Sequence, residues 1–61
     1  MPAAPHSQLI LVKRYAQSRL YDTVGRRYVS VEQLRGWAFD GVAFFVMDVE
    51  TGADVTRILL A

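Results

Sequence analysis

The stretch KRYAQSRLYDTVGRRYVS, residues 13–30, decides both the fold and the surface chemistry of this 61-residue chain. It holds all three tyrosines of the chain, and its one acid is Asp22. It also holds five of the seven basic residues, which are Lys13, Arg14, Arg19, Arg26 and Arg27. Residues 13–27 carry a net charge of +4, five basic groups against one acid, whereas residues 28–61 carry −3, two basic groups against five acids. This asymmetry indicates one basic face on a mildly acidic remainder.

Strand patterns run through this stretch and just before it. Residues 9–15 begin with the apolar run LILV and end in Lys-Arg-Tyr, which predicts a first strand. Residues 19–23 alternate, which puts Leu20 and Asp22 on one face of a second strand and residues 19, 21 and 23 on the other. Residues 27–29 return as a third strand. We expect a two- or three-stranded antiparallel unit in which basic and aromatic side chains interleave.

Two short connections link these strands. Residues 16–18 are expected to form a bend or a bulge. In the second connection, Val24-Gly25-Arg26, we expect Gly25 to supply the positive φ that a tight reversal needs.

A helix follows the third strand. Ser30 and Gln33 have the spacing of a capping box, in which each side chain accepts from the backbone N–H of the other residue. Val29 and Leu34 occupy the positions of a hydrophobic staple around that cap. An apolar stripe then continues at helical spacing through Val31, Leu34, Trp37, Ala38 and Gly41. Gly41 is placed to end the helix in the left-handed conformation.

The last third of the chain predicts one more strand and a short helix. Residues 42–49, VAFFVMDV, are apolar on both faces, so we expect both faces to be covered, the second one by a partner chain. Asp54 is predicted to cap a final helix. The fold class is therefore α+β: a small antiparallel hairpin or sheet, one amphipathic helix packed on it and a short C-terminal helix. Residues 9–61 are expected to form a single domain after a flexible tail at residues 1–8.

The amino-acid composition argues against several classes of function. The chain has no cysteine and one histidine, His6 in the tail, so we expect no catalytic centre, no metal and no cofactor. The acids Asp48, Glu50 and Asp54 do not match a calcium-binding loop. No signal or membrane-spanning segment is recognisable, which favours a cytoplasmic protein. A chain this short buries only roughly 60% of its unfolded surface, so a homo-oligomer, dimer or higher, is expected.

Interleaved basic and aromatic residues are the main positive signal. Lys and Arg neutralise phosphates, Tyr hydroxyls donate to them, and a two-stranded β-ribbon fits the major groove of B-DNA. The alternative is structural, because tyrosines favour strands and arginines keep exposed edge strands soluble. These residues alone do not distinguish DNA from RNA.

The sequence KRYAQSRLYDT at residues 13–23 resembles the signature K-[KR]-Y-x-N-R-R-L-Y-D-T of the polyhydroxyalkanoate synthesis repressors. The resemblance continues through residues 28–30 and the helix. It resumes at residues 46–48 and at TGADVTR, residues 51–57, which is similar to the family segment D-x-x-T-G-x-D-[LIV]-T-R. It covers about residues 9–60. Gln17 and Ser18 depart from it, since the family has Asn and Arg at these positions.

The resemblance implies an N-terminal DNA-binding domain of a bacterial repressor that controls storage-polyester genes and is released from double-stranded DNA by the polymer. The matched residues that it ties to DNA are Lys13, Arg14, Tyr15, Arg19 and Tyr21. The charge pattern adds Arg26, Arg27 and Tyr28. This function predicts a location at the nucleoid, and polymer binding would add the granule surface.

An alternative function is an interaction module that does not bind DNA. It would form a hetero-oligomer with a full-length homologue or bind the polyhydroxyalkanoate surface. The features behind it are the apolar strand at residues 42–49, an exposed Phe39 and the apolar end of the chain at residues 58–60.

Overall fold

A computed structural model describes residues 9–61, and the tail expected at residues 1–8 lies outside the described residues. The elements are strands β1 (Ile10–Tyr15), β2 (Arg19–Asp22) and β3 (Arg27–Val29), helix α1 (Val31–Phe39), strand β4 (Phe44–Asp48) and helix α2 (Thr56–Leu60). The strands form one sheet in the order β3-β2-β1-β4. Neither helix within residues 9–61 has the length and apolar character needed to cross a membrane.

The sheet is mixed. Strands β1, β2 and β3 are antiparallel neighbours, as the sequence predicted, whereas β4 joins the other side of β1 in parallel. Parallel neighbours need a long connection, and β2, β3 and α1 provide it between β1 and β4. This connection brings the chain back to the end of the sheet at which β1 begins, so β4 runs in the same direction as β1. The α+β class and its two helices are confirmed.

One face of the sheet forms the core. Its buried side chains come from all four strands, from α1 and from the segment before α2: Val12, Leu20, Val29, Leu34, Val46 and Val55. Leu34 of α1 is completely buried against the strands. A core of six small or medium apolar residues is modest even for a chain of this size, so each of its members matters for stability.

Helix α1 begins as the sequence predicted. The Ser30 side chain accepts from the Gln33 backbone N–H at 3.1 Å, and the Gln33 side chain accepts from the Ser30 backbone N–H at 2.9 Å. Val29 and Leu34, the predicted staple residues, both lie in the core. Gly41 has φ +79°, which confirms the left-handed ending just after the helix.

Strand β4 is shorter than predicted and lies at an edge of the sheet. Among residues 9–61, Val46 and Asp48 are buried on its core face, whereas Phe45 and Met47 on the other face are half-buried. Its outer edge is nevertheless occupied. The Val55 N–H donates to the Val46 carbonyl at 2.8 Å, and the Asp48 N–H donates to the Ala53 carbonyl at 2.9 Å.

The prediction that Asp54 caps α2 was wrong in detail. The residue at the cap position is Val55, and it makes no side-chain cap. Asp54 instead accepts from the backbone N–H and the hydroxyl of Thr56, at 3.0 and 2.6 Å. The Thr56 hydroxyl oxygen accepts in turn from the Val46 N–H at 2.7 Å. Asp54 and Thr56 therefore fasten the last segment to the edge of β4.

Candidate nucleic-acid interface

The face of the sheet opposite α1, here called the open face, carries most of the predicted site residues. Side chains alternate along each strand, so the residues next to buried Val12 and Leu20 project to the open face. The strand register places Tyr28 beside Tyr21 and Tyr21 beside Lys13. These three side chains form one row across β3, β2 and β1.

A second row lies at the end of the first hairpin. Tyr15 pairs with Arg19 in the register of β1 and β2. Together with the two other tyrosines they line a shallow depression of about 260 Å³, whose walls are Tyr15, Arg19, Tyr21 and Tyr28. We call Lys13 and these four residues the basic aromatic patch.

The tyrosines of the patch differ in exposure. Tyr28 is 60% exposed and Tyr15 38% exposed, whereas Tyr21 is half-buried between its neighbours. The rings of Tyr21 and Tyr28 meet edge to face, with centroids 5.2 Å apart and an interplanar angle of 70°. This arrangement is favourable for aromatic pairs and holds the exposed Tyr28 ring in place.

The first hairpin turn is tight. The Ser18 N–H donates to the Tyr15 carbonyl at 3.0 Å, and the two residues between them both have positive φ, +51° at Ala16 and +62° at Gln17. Two successive residues in the left-handed region thus reverse the chain within a three-residue loop between Tyr15 and Arg19. The bend expected at residues 16–18 is confirmed. Asparagine tolerates this conformation better than glutamine, because its short side chain can bond to the local backbone.

The second hairpin turn is built around Asp22. Its Oδ1 accepts from the backbone N–H groups of Val24 and Gly25, at 2.9 and 2.8 Å, and its carbonyl accepts from the Arg26 N–H at 2.8 Å. The prediction of a positive φ at Gly25 was wrong, since the positive φ, +59°, belongs to Arg26. Glycine fits at position 25 for a different reason: a Cβ there would lie 2.6 Å from Asp22 Oδ2.

Arg14 lies apart from the basic aromatic patch. It projects to the core face, where its Nε and Nη2 both donate to Asp48 Oδ2, at 3.0 and 2.8 Å. The side chains are only 17% and 3% exposed. This ion pair joins neighbouring strands β1 and β4, and its geometry favours a structural role for Arg14.

The remaining two arginines of the prediction flank the second turn. Arg26 is exposed in the turn itself. Arg27 pairs with Asp22 in the strand register, and its Nε lies 3.9 Å from Asp22 Oδ2 with the side chain largely exposed. Such an exposed pair at this distance contributes little to stability. Both cations stand at the end of β2 and β3 opposite the first turn.

Two carboxylates have perturbed acidities. The hydrogen bond from Arg14 lowers the pKa of Asp48 below its ordinary value of 3.8, and the backbone N–H groups of Glu50 and Thr51 lower it further, while desolvation opposes them. The hydrogen bond from the Thr56 hydroxyl lowers the pKa of Asp54. Both groups are structural anchors. Among residues 9–61, no three side chains of His, Cys, Asp or Glu are grouped closely enough to hold a metal ion.

Sequence reasoning recognised that residues 42–49 are apolar on both faces, but it did not place either face beside the basic aromatic residues. Beside Lys13 the register places Met47, and beside Leu11 it places Phe45. With the exposed Val49 they form an apolar strip along β1 and β4 that borders the basic aromatic patch. The alternation of residues 43–49 was the available signal, but only the pairing of β4 with β1 shows that the strip and the patch share one face.

Comparison with known proteins gives the family. The family model of the PHB/PHA accumulation regulator DNA-binding domain matches residues 11–61. The chain is 36% identical over 50 residues to an uncharacterized protein in the phbA 5′ region of Thiocystis violacea, covering 82% of this chain and 36% of that protein. It is also 36% identical over 50 residues to an uncharacterized protein of Allochromatium vinosum, covering 82% of this chain and 33% of that one.

The chain thus spans about a third of the length of these curated relatives. No solved structure matches it. The matched family is one of DNA-binding regulator domains, which is not a class of enzyme, and its match extends from β1 through α2. The chain belongs to the family of PHB/PHA accumulation regulator DNA-binding domains.

Proposed function

We propose that this domain is the DNA-binding module of a transcriptional repressor linked to polyhydroxyalkanoate storage, and that it binds double-stranded DNA through the open face of its antiparallel strands. The observation that carries the proposal is the basic aromatic patch, in which two cations and three tyrosines from three strands share the face of the sheet opposite α1. Cations for phosphates and hydroxyls that donate to them are the groups that position a protein on a duplex.

Electrostatics support this face. Within residues 9–61 neither Lys13 nor Arg19 forms a salt bridge, so both charges are available to phosphates. The acids nearest in the sheet, Asp22 and Asp48, are buried on the opposite face. The exposed Arg26 adds a positive charge at the second turn, whereas Arg27, which pairs with Asp22 in the strand register, lies on the other face of β3. Arg14 takes the structural role that its ion pair assigns to it.

Shape supports the end of the first hairpin as the leading part. The pairing of β3 reaches Leu20 and that of β4 reaches Arg14, so the Tyr15 and Arg19 pair and the turn after it extend beyond both outer strands. A two-stranded ribbon of this kind fits the major groove, which is about 12 Å wide. The proposal places Tyr15 and Arg19 at the groove and the remaining cations along the backbone.

The test is duplex binding measured as a function of salt. Each cation that neutralises a phosphate contributes about 0.9 to the slope of log K against log salt. We expect Lys13→Ala and Arg19→Ala each to weaken binding and to lower the slope by about that amount. Arg35→Ala is the matched control, since Arg35 is an exposed cation on α1, on the other side of the sheet. Unchanged slopes in both patch variants, or an equal loss in the control, would refute the proposal.

A second candidate function rests on the apolar strip. The apolar side chains of this strip, Phe45, Met47 and Val49, would make the domain an interaction module. Its partner would be a second copy, a full-length homologue or the polyester itself. The domain would then be located at the granule and not at the nucleoid of the cytoplasm. Met47→Glu should then abolish capture of a longer homologue and co-sedimentation with polyester granules, while circular dichroism shows that the variant remains folded. If the wild-type domain does neither, this candidate is discarded.

A further inference from the structure

We infer that the basic aromatic patch is also a stacking platform for single-stranded nucleic acid, a ligand class beyond the duplex of the proposed function. The inference starts from Tyr28. Its ring is the most exposed aromatic of the patch, it belongs to a strand at the edge of the sheet, and Tyr21 supports it from one side at 5.2 Å. An immobilised and accessible aromatic ring is what an unpaired base needs for stacking.

Tyr15 supplies a second platform at a matching position. It lies two strands from Tyr28 and is displaced from it by two residues along the sheet, which places their Cα atoms about 12 Å apart from standard strand spacings. Arg19 lies between them on β2 and lines the same depression. The rings of Tyr15 and Tyr28 can each stack on one base of a single strand. The sugar-phosphate backbone between the two bases would then pass over the guanidinium of Arg19.

Charge complementarity identifies the ligand as an anion with flat, apolar groups. Lys13 and Arg19 are free of salt bridges within the described part of the chain, and no acid projects from β1, β2 or β3 into the patch. A peptide or a lipid surface would not use three tyrosine rings and two cations together as well as a nucleic acid strand does. DNA and RNA share this chemistry, because every base has an aromatic face.

The shape of the patch separates this ligand from a duplex. In a duplex the bases stack on each other and offer only their edges in the grooves. The patch spans three strands, or about 10 Å between the outer backbones, so with side chains only its hairpin end can enter a groove. Tyr28 on the outer strand is then left without a base partner, whereas a single strand can lie across the whole face.

The experiment measures binding of labelled dT15, rU15 and a DNA hairpin duplex to the whole chain at physiological salt. Base stacking on an aromatic side chain contributes roughly 1–3 kcal/mol, so Tyr28→Leu should weaken single-strand binding about 5- to 150-fold. Tyr15→Leu should have an effect of the same order, and Tyr28→Phe, which keeps the ring, should lose far less. Phe39→Leu is the matched control, because Phe39 is 92% exposed on α1, outside the patch.

The outcomes distinguish the two functions. Equal binding of dT15 and rU15 supports shared stacking chemistry, and a preference for one identifies the source of the strand. Duplex binding without single-strand binding overturns this inference and leaves the proposed function intact. Single-strand binding without duplex binding supports this inference and overturns the proposed function. Single-strand binding that Tyr28→Leu and Tyr15→Leu leave at the wild-type level also overturns it. Circular dichroism of both variants establishes that they are folded.

Discussion

Replacing Gly25 with alanine should destabilise the domain, although its backbone conformation would accept alanine. An added Cβ would lie 2.6 Å from Asp22 Oδ2 and 3.3 Å from Asp22 Cγ, well inside van der Waals contact. The carboxylate cannot move away freely, because it is buried and its other oxygen accepts from two backbone N–H groups of the same turn. Either these hydrogen bonds or the backbone of the turn must give way.

The expected loss follows from those contacts. A hydrogen bond to a charged group contributes about 1.5–3 kcal/mol. Alanine restricts the unfolded chain and returns about 0.4–1 kcal/mol. The net destabilisation is therefore about 1–2 kcal/mol, which lowers the melting temperature by roughly 5–15 °C in a domain of this size.

Gly36→Ala is the matched control, since the same chemical change meets no atom within 4 Å in the middle of α1. It should stabilise the domain by roughly 0.5–1 kcal/mol through helix propensity. Thermal and urea unfolding of both variants, followed by circular dichroism, give the two free-energy changes. If Gly25→Ala is as stable as the wild type, or shifts in the same direction as Gly36→Ala, the role assigned to the Asp22 carboxylate is wrong.

Other positions give independent tests. Gln17→Asn should raise the unfolding free energy by about 0.5–1 kcal/mol, because Asn adopts the left-handed conformation at lower cost, and urea unfolding at neutral pH measures it. Asp48 and Asp54 have folded-state pKa values below 3.8, so the stability that they contribute is present above that pH and is lost as the pH falls through the lower folded-state values. Asp48→Asn should flatten this acid limb of a stability profile, and an unchanged profile would contradict the assignment. Arg14→Gln should lower the melting temperature yet leave the salt slope of DNA binding at the wild-type value, in contrast to Lys13→Ala; a reduced slope would show that Arg14 contacts phosphate.

Local patterns carried much of the fold. The alternation around Leu20 and Tyr21 predicted which side chains of β2 share a face, and burial shows that Leu20 and Asp22 lie on the core face. The Ser30 and Gln33 pair predicted the first turn of α1 down to its hydrogen bonds. These predictions succeed because the interacting groups lie within four residues of each other, so the sequence spacing fixes their geometry.

Turn chemistry was predictable in place but not in detail. The sequence located both reversals, yet it assigned the positive φ of the second one to Gly25 instead of Arg26. Glycine is the usual residue for that conformation, but here it is required by the nearby Asp22 carboxylate. The propensity of glycine for positive φ is a property of that residue type alone. The contact between position 25 and the Asp22 carboxylate depends on the path of the backbone through the turn.

By itself, the sequence determined the α+β class, the boundaries of the helix cap, the basic aromatic composition of the first hairpin and the family. Only the tertiary structure decided that β4 joins β1 in parallel, that Arg14 turns inward to Asp48 and that the apolar strip borders the patch. These features join residues that are about 34 positions apart along the chain. The physical reason is that the charge and hydrophobicity of a residue determine only which environment it prefers. Its actual partner and its exposure depend on which strands become neighbours in the completed sheet.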